Sequence, residues 1–590
     1  MKQSYSIDTI PSILGKLGTN SIQNYILTLG RELYSFSSSS DGELRSFSSS
    51  LDGELYHSYE DIEKTHFKEV LNYGSSVLQY LMDKNIVVKQ TKTTTSDRKV
   101  IEIVPNIPIP TLIEKTKSVY PIRTVESSKL KKDEILHSVN IAKLNKSCLD
   151  LLVYQNNIPL LVRNRNLSRS KRVPKNESSI GEPNYILETE LIKSYIKDYD
   201  EQIIFMNHSY DRRGRLYSTN YPLSFQSDEY TRSCFELAFK QPINENGLVW
   251  LKRDIANLAG LDKHTYARKE EWFDSAKYDI IEVGRTGRID PKNETFQSLD
   301  KPIRFISACR AFVDYIENKP SGYLTSIDST ASGSQIMALL TRDELAAKYT
   351  NITNDKNRWD IYSEVAREFY KLKKDPNKFT YLTDRKRFKQ AVMISGYNGK
   401  TAVENNFPDP KDRELFYEAM RTICKGAKEL TELINQAYLD NSDKTYMSWI
   451  MPDGFQVCIP QFKAKWHRII NKDFECMFKY DAIECDVKTN KRSLCPNFLH
   501  SSDSFICREL LRRCISKDIE IMSVHDSFYS HPNNMSIILD TYNDILQDIN
   551  TLKYDLVGSF LTDIYGKKMS NPYSSRKSLD DIRYARYSLC

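Results

Sequence analysis

No stretch of the 590 residues approaches the roughly 20 consecutive apolar residues that cross a bilayer, so the chain reads as soluble and without a membrane partner. The 11 cysteines contain no Cys-x-x-Cys pair. An odd, scattered set of thiols points to a reducing compartment rather than a disulfide framework. Cys476, Cys485, Cys495, His500 and Cys507 come nearest to a metal cluster, but their spacing fits no zinc pattern. Charge of one sign is missing too. A formal net charge of +6 carries no bulk signature of nucleic-acid binding, so any basic surface has to be local. The opening MKQSYSIDTIPSILGKLG lacks a secretory apolar core, and Asp8 with no Arg before Arg31 makes a poor organelle presequence.

What is present suffices for a large core: 40% of the residues are hydrophobic, enough at this length for roughly two to four packed units. Ser35 to Arg45 (SFSSSSDGELR) is followed at once by SFSSSLDGELY, a tandem duplication too short for a solenoid and too polar for a core, which reads as a mobile insertion. From Tyr59 to Lys84 apolar residues recur at helical spacing, and Asn85 to Val104 alternates as a strand or hairpin does. A Pro-rich connector and a further helical region to about Val162 follow. Arg163 to Asn176 (RNRNLSRSKRVPKN) then carries six cations and no acid, either a solvated loop or a strap that contacts phosphate. Glu188 to Phe205 starts as an amphipathic helix, and beyond it mixed strand and helix signals mark the main domain.

Three stretches there carry chemistry. In YLTSIDSTASGSQ (Tyr323 to Gln335) a short apolar strand ends on Asp328, and a small-residue turn leads into a helix. An acid so placed suits either a metal ligand facing a cleft or a plain helix cap. In IEIMSVHDSFYSHP (Ile519 to Pro532) two strands meet at His525-Asp526-Ser527, with Asp526 at the tip of a tight hairpin. Between them TDRKRFKQAVMISGYNG (Thr383 to Gly399) reads as a basic helix from Asp384 to Gly396. Arg385 and Lys389 lie roughly 40° apart on it, with Tyr397 within about 120° of Arg385. Taken alone it reads first as a solvated face. Two acids on separate strands with cations between them form the set that nucleotidyl transfer uses, the acids for divalent ions and the cations for a triphosphate.

This ordered set, Asp328 in DSTASGSQ, Arg385-x3-Lys389-x7-Tyr397 and His525-Asp526-Ser527, resembles motifs A, B and C of the single-subunit DNA-dependent RNA polymerases of bacteriophages, mitochondria and mitochondrial plasmids. DRRGRLY (Asp211 to Tyr217), GLVWLKRDIANLAGLDK (Gly247 to Lys263), LLTRDELAAKYTNI (Leu339 to Ile352) and PNFLHSSDS (Pro496 to Ser504) agree in order, so the likeness runs from about Tyr185 onward. It implies an α+β, predominantly helical right-hand fold with palm, fingers and thumb. Residues 1–58 are then an N-terminal segment with the Ser-rich repeat, and 59–185 a reduced N-terminal and thumb-like region. Residues 186–345 are the first part of the palm, 346–440 the fingers, and 441–590 the second part of the palm.

By the same resemblance Asp328 and Asp526 hold two Mg²⁺ ions, Arg385 and Lys389 bind the incoming rNTP, and Tyr397 and His500 sit by its sugar. Arg215 and Tyr217 face the DNA template, and RNA is the product. Asn398 stands where the phage enzymes have Gly after the motif B tyrosine. The segment between Trp449 and Ser493 takes the place of the family's specificity hairpin, for DNA-groove contact or as an ordinary amphipathic hairpin. The related family A DNA polymerases carry a bulky Glu after motif A's aspartate and end motif C in His-Asp-Glu. The small Ser329 to Gly333 wall and Ser527 differ from both, and no Tyr-x-Asp-Asp of reverse transcriptases occurs. A family A-like DNA polymerase or primase and an inactive nucleic-acid-binding relative are the competing readings. An accessory factor for promoter finding, and a mitochondrial element or a phage in bacterial cytoplasm as source, complete the expectations.

Overall fold

The computed structural model describes residues 87–93, 99–105, 122–124, 145–167, 172, 183–290, 292, 293, 296, 299, 301–396, 399, 401–444, 446–470, 475–485 and 487–590. The Ser-rich duplication, the helical pattern of Tyr59 to Lys84 and Tyr397 lie outside them. Two compact units are formed, one from residues 1–122, 172–198 and 464–482, the other from 123–171, 199–463 and 483–590.

In the first unit the alternating pattern folds as expected, with Val87–Thr93 antiparallel to Lys99–Pro105 and Val87 opposite Pro105. The amphipathic helix is there as Pro183–Asp198. Its Tyr185 hydroxyl donates to the Arg172 carbonyl at 2.6 Å, and the Arg172 guanidinium pairs with Glu188 at 2.7 Å. The strands Phe462–Ile470 and Glu475–Cys485 pair as a two-stranded sheet where the specificity hairpin was expected.

The second unit is helical with small antiparallel sheets, an α+β architecture. The helical region expected to reach Val162 stops sooner. Lys146–Asn156 is a helix, whereas Leu160–Val162 is a strand between Ile203–Phe205 and Phe235–Leu237. Pro159 explains the break, since it has no N–H to donate and pushes Ile158 out of helical backbone. Four helices, Glu245–Ala256, Tyr266–Ser275, Lys277–Thr286 and Pro302–Ile316, close on a core of Leu251, Phe273, Phe305 and Phe312. A larger core holds an aromatic cluster in which Phe388 meets Phe369 at 5.3 Å and Phe407 at 5.1 Å.

That cluster fixes the basic helix, Tyr381–Gly396. Its Asp384, Phe388, Ala391 and Val392 are buried, at helical spacing. The Asp384 carboxylate accepts from the Thr380 N–H at 2.7 Å and the Tyr370 hydroxyl at 2.9 Å, which ties down the first turn. One face being committed to the core, Arg385, Lys389 and Met393 are left on a neighbouring face.

A long helix, Val487–Ile515, runs through the middle of the unit, with Phe498, Phe505, Leu510 and Leu511 among its buried residues. Arg508 is buried on it and bonds Asp453 through Nη2 at 3.0 Å and the Gly214 carbonyl through Nη1 at 2.8 Å. Gly214 has φ +86°, and a Cβ there would fall 2.1 Å from Arg508 Nη1. The glycine of DRRGRLY is thus required twice over, by its left-handed backbone and by the guanidinium against it. Asp453→Ala leaves the Arg508 charge buried without its partner, and the expected loss is about 3–5 kcal/mol of stability by denaturant titration, with a somewhat smaller loss for Asp453→Asn, which keeps a hydrogen-bond acceptor but not the counter-charge.

Candidate active site

Both carboxylates of the site stand on one three-stranded antiparallel sheet. Ile521–Val524 pairs with Ser527–Ser530, which pairs with Thr325–Asp328. Val524 opposite Ser527 makes His525-Asp526 a two-residue hairpin loop, and His525 takes the positive φ of 58° that such a loop demands. A non-glycine residue there is held by its surroundings, for the His525 ring meets Tyr217 edge-on at 4.9 Å. Ser527 lies opposite Asp328. This register puts Asp526 and Asp328 side by side, with Ser527 Oγ donating to Asp328 Oδ1 at 2.6 Å and the Ser329 N–H to the Asp526 carbonyl at 3.1 Å.

The strand end is held on its other edge by a segment remote in sequence. The Cys590 N–H donates to the Asp328 carbonyl at 2.9 Å, the Asp328 N–H to the Cys590 carbonyl at 3.3 Å, and the Thr330 N–H to the Ser588 carbonyl at 3.3 Å. Gln335, buried in the following helix Ser332–Thr341, donates to the carbonyls of Thr350 at 2.8 Å and Ser588 at 3.0 Å. The small-residue turn is therefore a fixed wall.

The carboxylates face a cavity of about 530 Å³. The wall residues Ser329 to Ser334, the basic helix, Arg215, His500, and a turn of widened helix at Asn257–Leu261 also line it. Asp328 opens onto the cavity, yet protein crowds it on its other sides, and restricted hydration raises its carboxyl above the ordinary range despite the Ser527 hydroxyl and three lysine charges. Asp526 is pushed up to about 7 by burial, by Asp328 and by Asp503. Two repelling carboxylates that would rather hold a proton fit a divalent cation. Among the described residues no group of three or more His, Cys, Asp or Glu side chains gathers to hold a metal by itself, so such an ion needs oxygens from substrate or water as well.

The structure brings Asp328, Asp526, Arg385, Lys389, Arg215 and His500 together around this cavity. Lys389 and Arg385 line the cavity. Arg385, expected to meet phosphate, is engaged by Asp360, through Nη2 at 2.9 Å and Nε at 3.1 Å. Arg215 donates to Asp503 at 2.9 Å, and Asp503 also accepts from Ser332 at 2.7 Å. Tyr217 packs on the His525 turn. His500 Nδ1 lies 2.9 Å from Arg213 Nη1, and Arg213 is itself held by Asp211. A guanidinium only donates, so Nδ1 accepts and the imidazole proton sits on Nε2. Burial with Arg215 and Arg213 lowers the His500 pKa to about 3, which keeps the ring neutral at working pH. The basic strap is partly neutralised: Arg163 and Arg165 both pair with Glu236, and Arg172 with Glu188.

Sequence reasoning had no role for Lys263, Lys301 and Arg358, which also line the cavity, or for Asp360, Asp503 and Tyr587 to Cys590. Lys263 and Asp503 lie in stretches already noted, GLDK and PNFLHSSDS. The others carried no local signal.

A paired-carboxylate site with a cation wall and a neutral histidine is the donor set of phosphoryl transfer. The sequence profile of the DNA-dependent RNA polymerase family matches residues 241–407 and 401–551, and the chain belongs to that family, in its single-subunit phage and mitochondrial branch. Asp328, Lys389, His500 and Asp526 fall inside the matched span, whereas Arg215 and Tyr217 precede it. The chain is 24% identical over 393 residues to the mitochondrial DNA-directed RNA polymerase 1 of Arabidopsis thaliana, covering 59% of this chain and 39% of that one. It is 23% identical over 378 residues to the mitochondrial enzyme of Homo sapiens, covering 57% and 30%. Against the chloroplastic/mitochondrial DNA-directed RNA polymerase 2 of Nicotiana sylvestris it is 26% identical over 399 residues, covering 59% and 38%. The matched region thus spans well under half the length of these relatives.

The raised Asp526 carboxyl has a pH consequence. Its folded value lies above its unfolded one, so the stability it contributes is present at low pH and lost as pH rises toward about 7 in metal-free protein. Affinity for an added divalent ion such as Mn²⁺ should run the other way, strengthening up to about tenfold per pH unit until the carboxyl is ionised. Titrations from acid to neutral pH should show this rise, and Asp526→Asn should flatten both it and the opposing fall in metal-free melting temperature.

Proposed function

We propose that the chain is a DNA-directed RNA polymerase that extends RNA from rNTPs on a DNA template. The observation that carries this is the strand register that sets Asp328 beside Asp526 at the mouth of the cation-walled cavity. Residues 186–345 and 441–590 then serve as palm, 346–440 as fingers, and 59–185 as a reduced N-terminal and thumb-like region, the right-hand arrangement. Asp328 and Asp526 would hold two Mg²⁺ ions, which would supply activation of the 3′-hydroxyl and charge neutralisation on the leaving pyrophosphate.

The chain's own residues do the rest. Lys389 meets the triphosphate directly. Arg385 adds positive field from a fixed place, because Asp360 holds its guanidinium still. The Ser329 to Gly333 wall leaves room for a 2′-hydroxyl, and neutral His500 offers the Nε2 proton on the sugar side with Tyr397. Tyr217 braces the His525-Asp526 turn, Arg215 is held by Asp503, and both stand toward the template. The relatives' names place them in mitochondria and chloroplasts, and we assign this chain to an organelle as well. An accessory factor for promoter finding belongs to the same reading.

Extension of an RNA primer on DNA tests it. The unaltered chain should incorporate rNTPs in preference to dNTPs in the presence of Mg²⁺, and Asp526→Asn should lower the rate by at least about a hundredfold with template affinity unchanged. Preference for dNTPs, or normal extension by the variant, overturns the assignment. Tyr397→Phe should narrow the rNTP preference.

A further inference from the structure

The cations around the cavity divide into two kinds. Arg215 is bound to Asp503, Arg385 to Asp360, and Lys263 to Asp262 at 2.6 Å. Arg358 directs Nη2 and Nε at the Cys590 sulfur, at 3.2 and 3.3 Å. These four are held by the protein itself. Lys389 and Lys301 are the other two, and among the described residues neither ammonium has a hydrogen bond or an ion pair. An exposed lysine that lines a concave cavity without a carboxylate keeps its three donors for a ligand.

Lys301 is nonetheless well placed. It is the residue before the helix Pro302–Ile316, and its carbonyl accepts from the Phe305 N–H at 3.0 Å. Glu229 secures the first turn by accepting from the N–H groups of Ile303 at 2.8 Å and Arg304 at 3.1 Å. Those donors are thereby used up, so the positive element this helix offers the cavity is the Lys301 side chain. Its stem leaves a fixed backbone, and the Lys301 charge acts on two carboxylates without pairing to either: on Glu229 behind it and on Asp328, as those of Lys263 and Lys389 do. Lys389 comes from a different helix, Tyr381–Gly396, so two separate elements each give the cavity one uncommitted ammonium.

Resting on the polymerase reading above, we propose that Lys301 is a second phosphate-binding lysine of the site, paired with Lys389 to hold the β- and γ-phosphates of the incoming nucleotide and the pyrophosphate formed from them. The requirement is chemical. In nucleotidyl transfer the primer 3′-oxygen bonds to the α-phosphorus and gives up its proton to water as the bond between that phosphorus and the bridging oxygen breaks. The broken bond's electron pair leaves on the bridging oxygen, and negative charge builds on the pyrophosphate. A mobile ammonium follows a leaving anion outward, which a guanidinium locked to a carboxylate does not. The same pair admits pyrophosphate in the reverse reaction.

Single-nucleotide extension and pyrophosphorolysis by Lys301→Ala, Lys301→Glu and Lys301→Arg test this. For Lys301→Ala the KM for rNTP and for pyrophosphate should each rise about five- to twentyfold, more for Lys301→Glu, with Lys301→Arg within about threefold of the unaltered chain. Template affinity and melting temperature should not move, because the side chain is exposed. A KM within about twofold for both ligands in Lys301→Ala and Lys301→Glu overturns the assignment, and so does a loss confined to kcat. If the unaltered chain fails to extend a primer at all, the polymerase reading is what fails. Equilibrium binding of Mg-ATP then decides the Lys301 assignment alone, weaker binding by Lys301→Ala and Lys301→Glu supporting it and unchanged binding overturning it.

Discussion

Asp328 and Asp526 are adjacent because a single backbone register, Ser527 opposite Asp328, leaves them no other place. Their charges repel where water is scarce, and the protonated form gains as a result. Much of the second unit can be understood as holding this unfavourable pair in place. The sheet supplies the register, and Tyr587 to Cys590 clamp the far edge of the strand end. Tyr217 packs on the hairpin turn, where His525 accepts a left-handed backbone. A pair held in repulsion is poised for divalent cations, whose binding relieves the strain that the fold maintains.

Around the pair the positive charges are arranged with equal economy. A cation bound to a carboxylate of its own protein is stiff, and still contributes field across a cavity of low effective dielectric. Arg215 and Arg385 are of that kind. Lys389 and Lys301 are not, and their reach suits a ligand that must enter charged and leave charged. His500, kept neutral by burial and by the nearby Arg215 and Arg213 charges, adds a directional donor and no charge.

How far the site could be read in advance depended on where each residue's constraint lies. Asp328 was legible because strand, acid and small-residue turn are consecutive, and Asp526 because two alternating runs meet at a two-residue loop. The basic helix was legible as a periodicity, with Phe388 and Val392 marking its buried side. Arg385 was found and its engagement was not, since nothing near it announces Asp360, 25 residues away. The helical reading carried through to Val162 overlooked what Pro159 does to the residue before it.

By itself the sequence determined which short segments become strand, turn and helix, and which family the chain joins, because these depend on residues that are neighbours along the chain. Only the tertiary structure decided which charges neutralise one another and which stay available. Asp360 on Arg385, Asp503 on Arg215, Cys590 beside Asp328 and a Lys301 left unpaired among the described residues result from packing between elements far apart in sequence. Hydrogen bonds and ion pairs act over a few ångströms in space, whatever the distance along the chain.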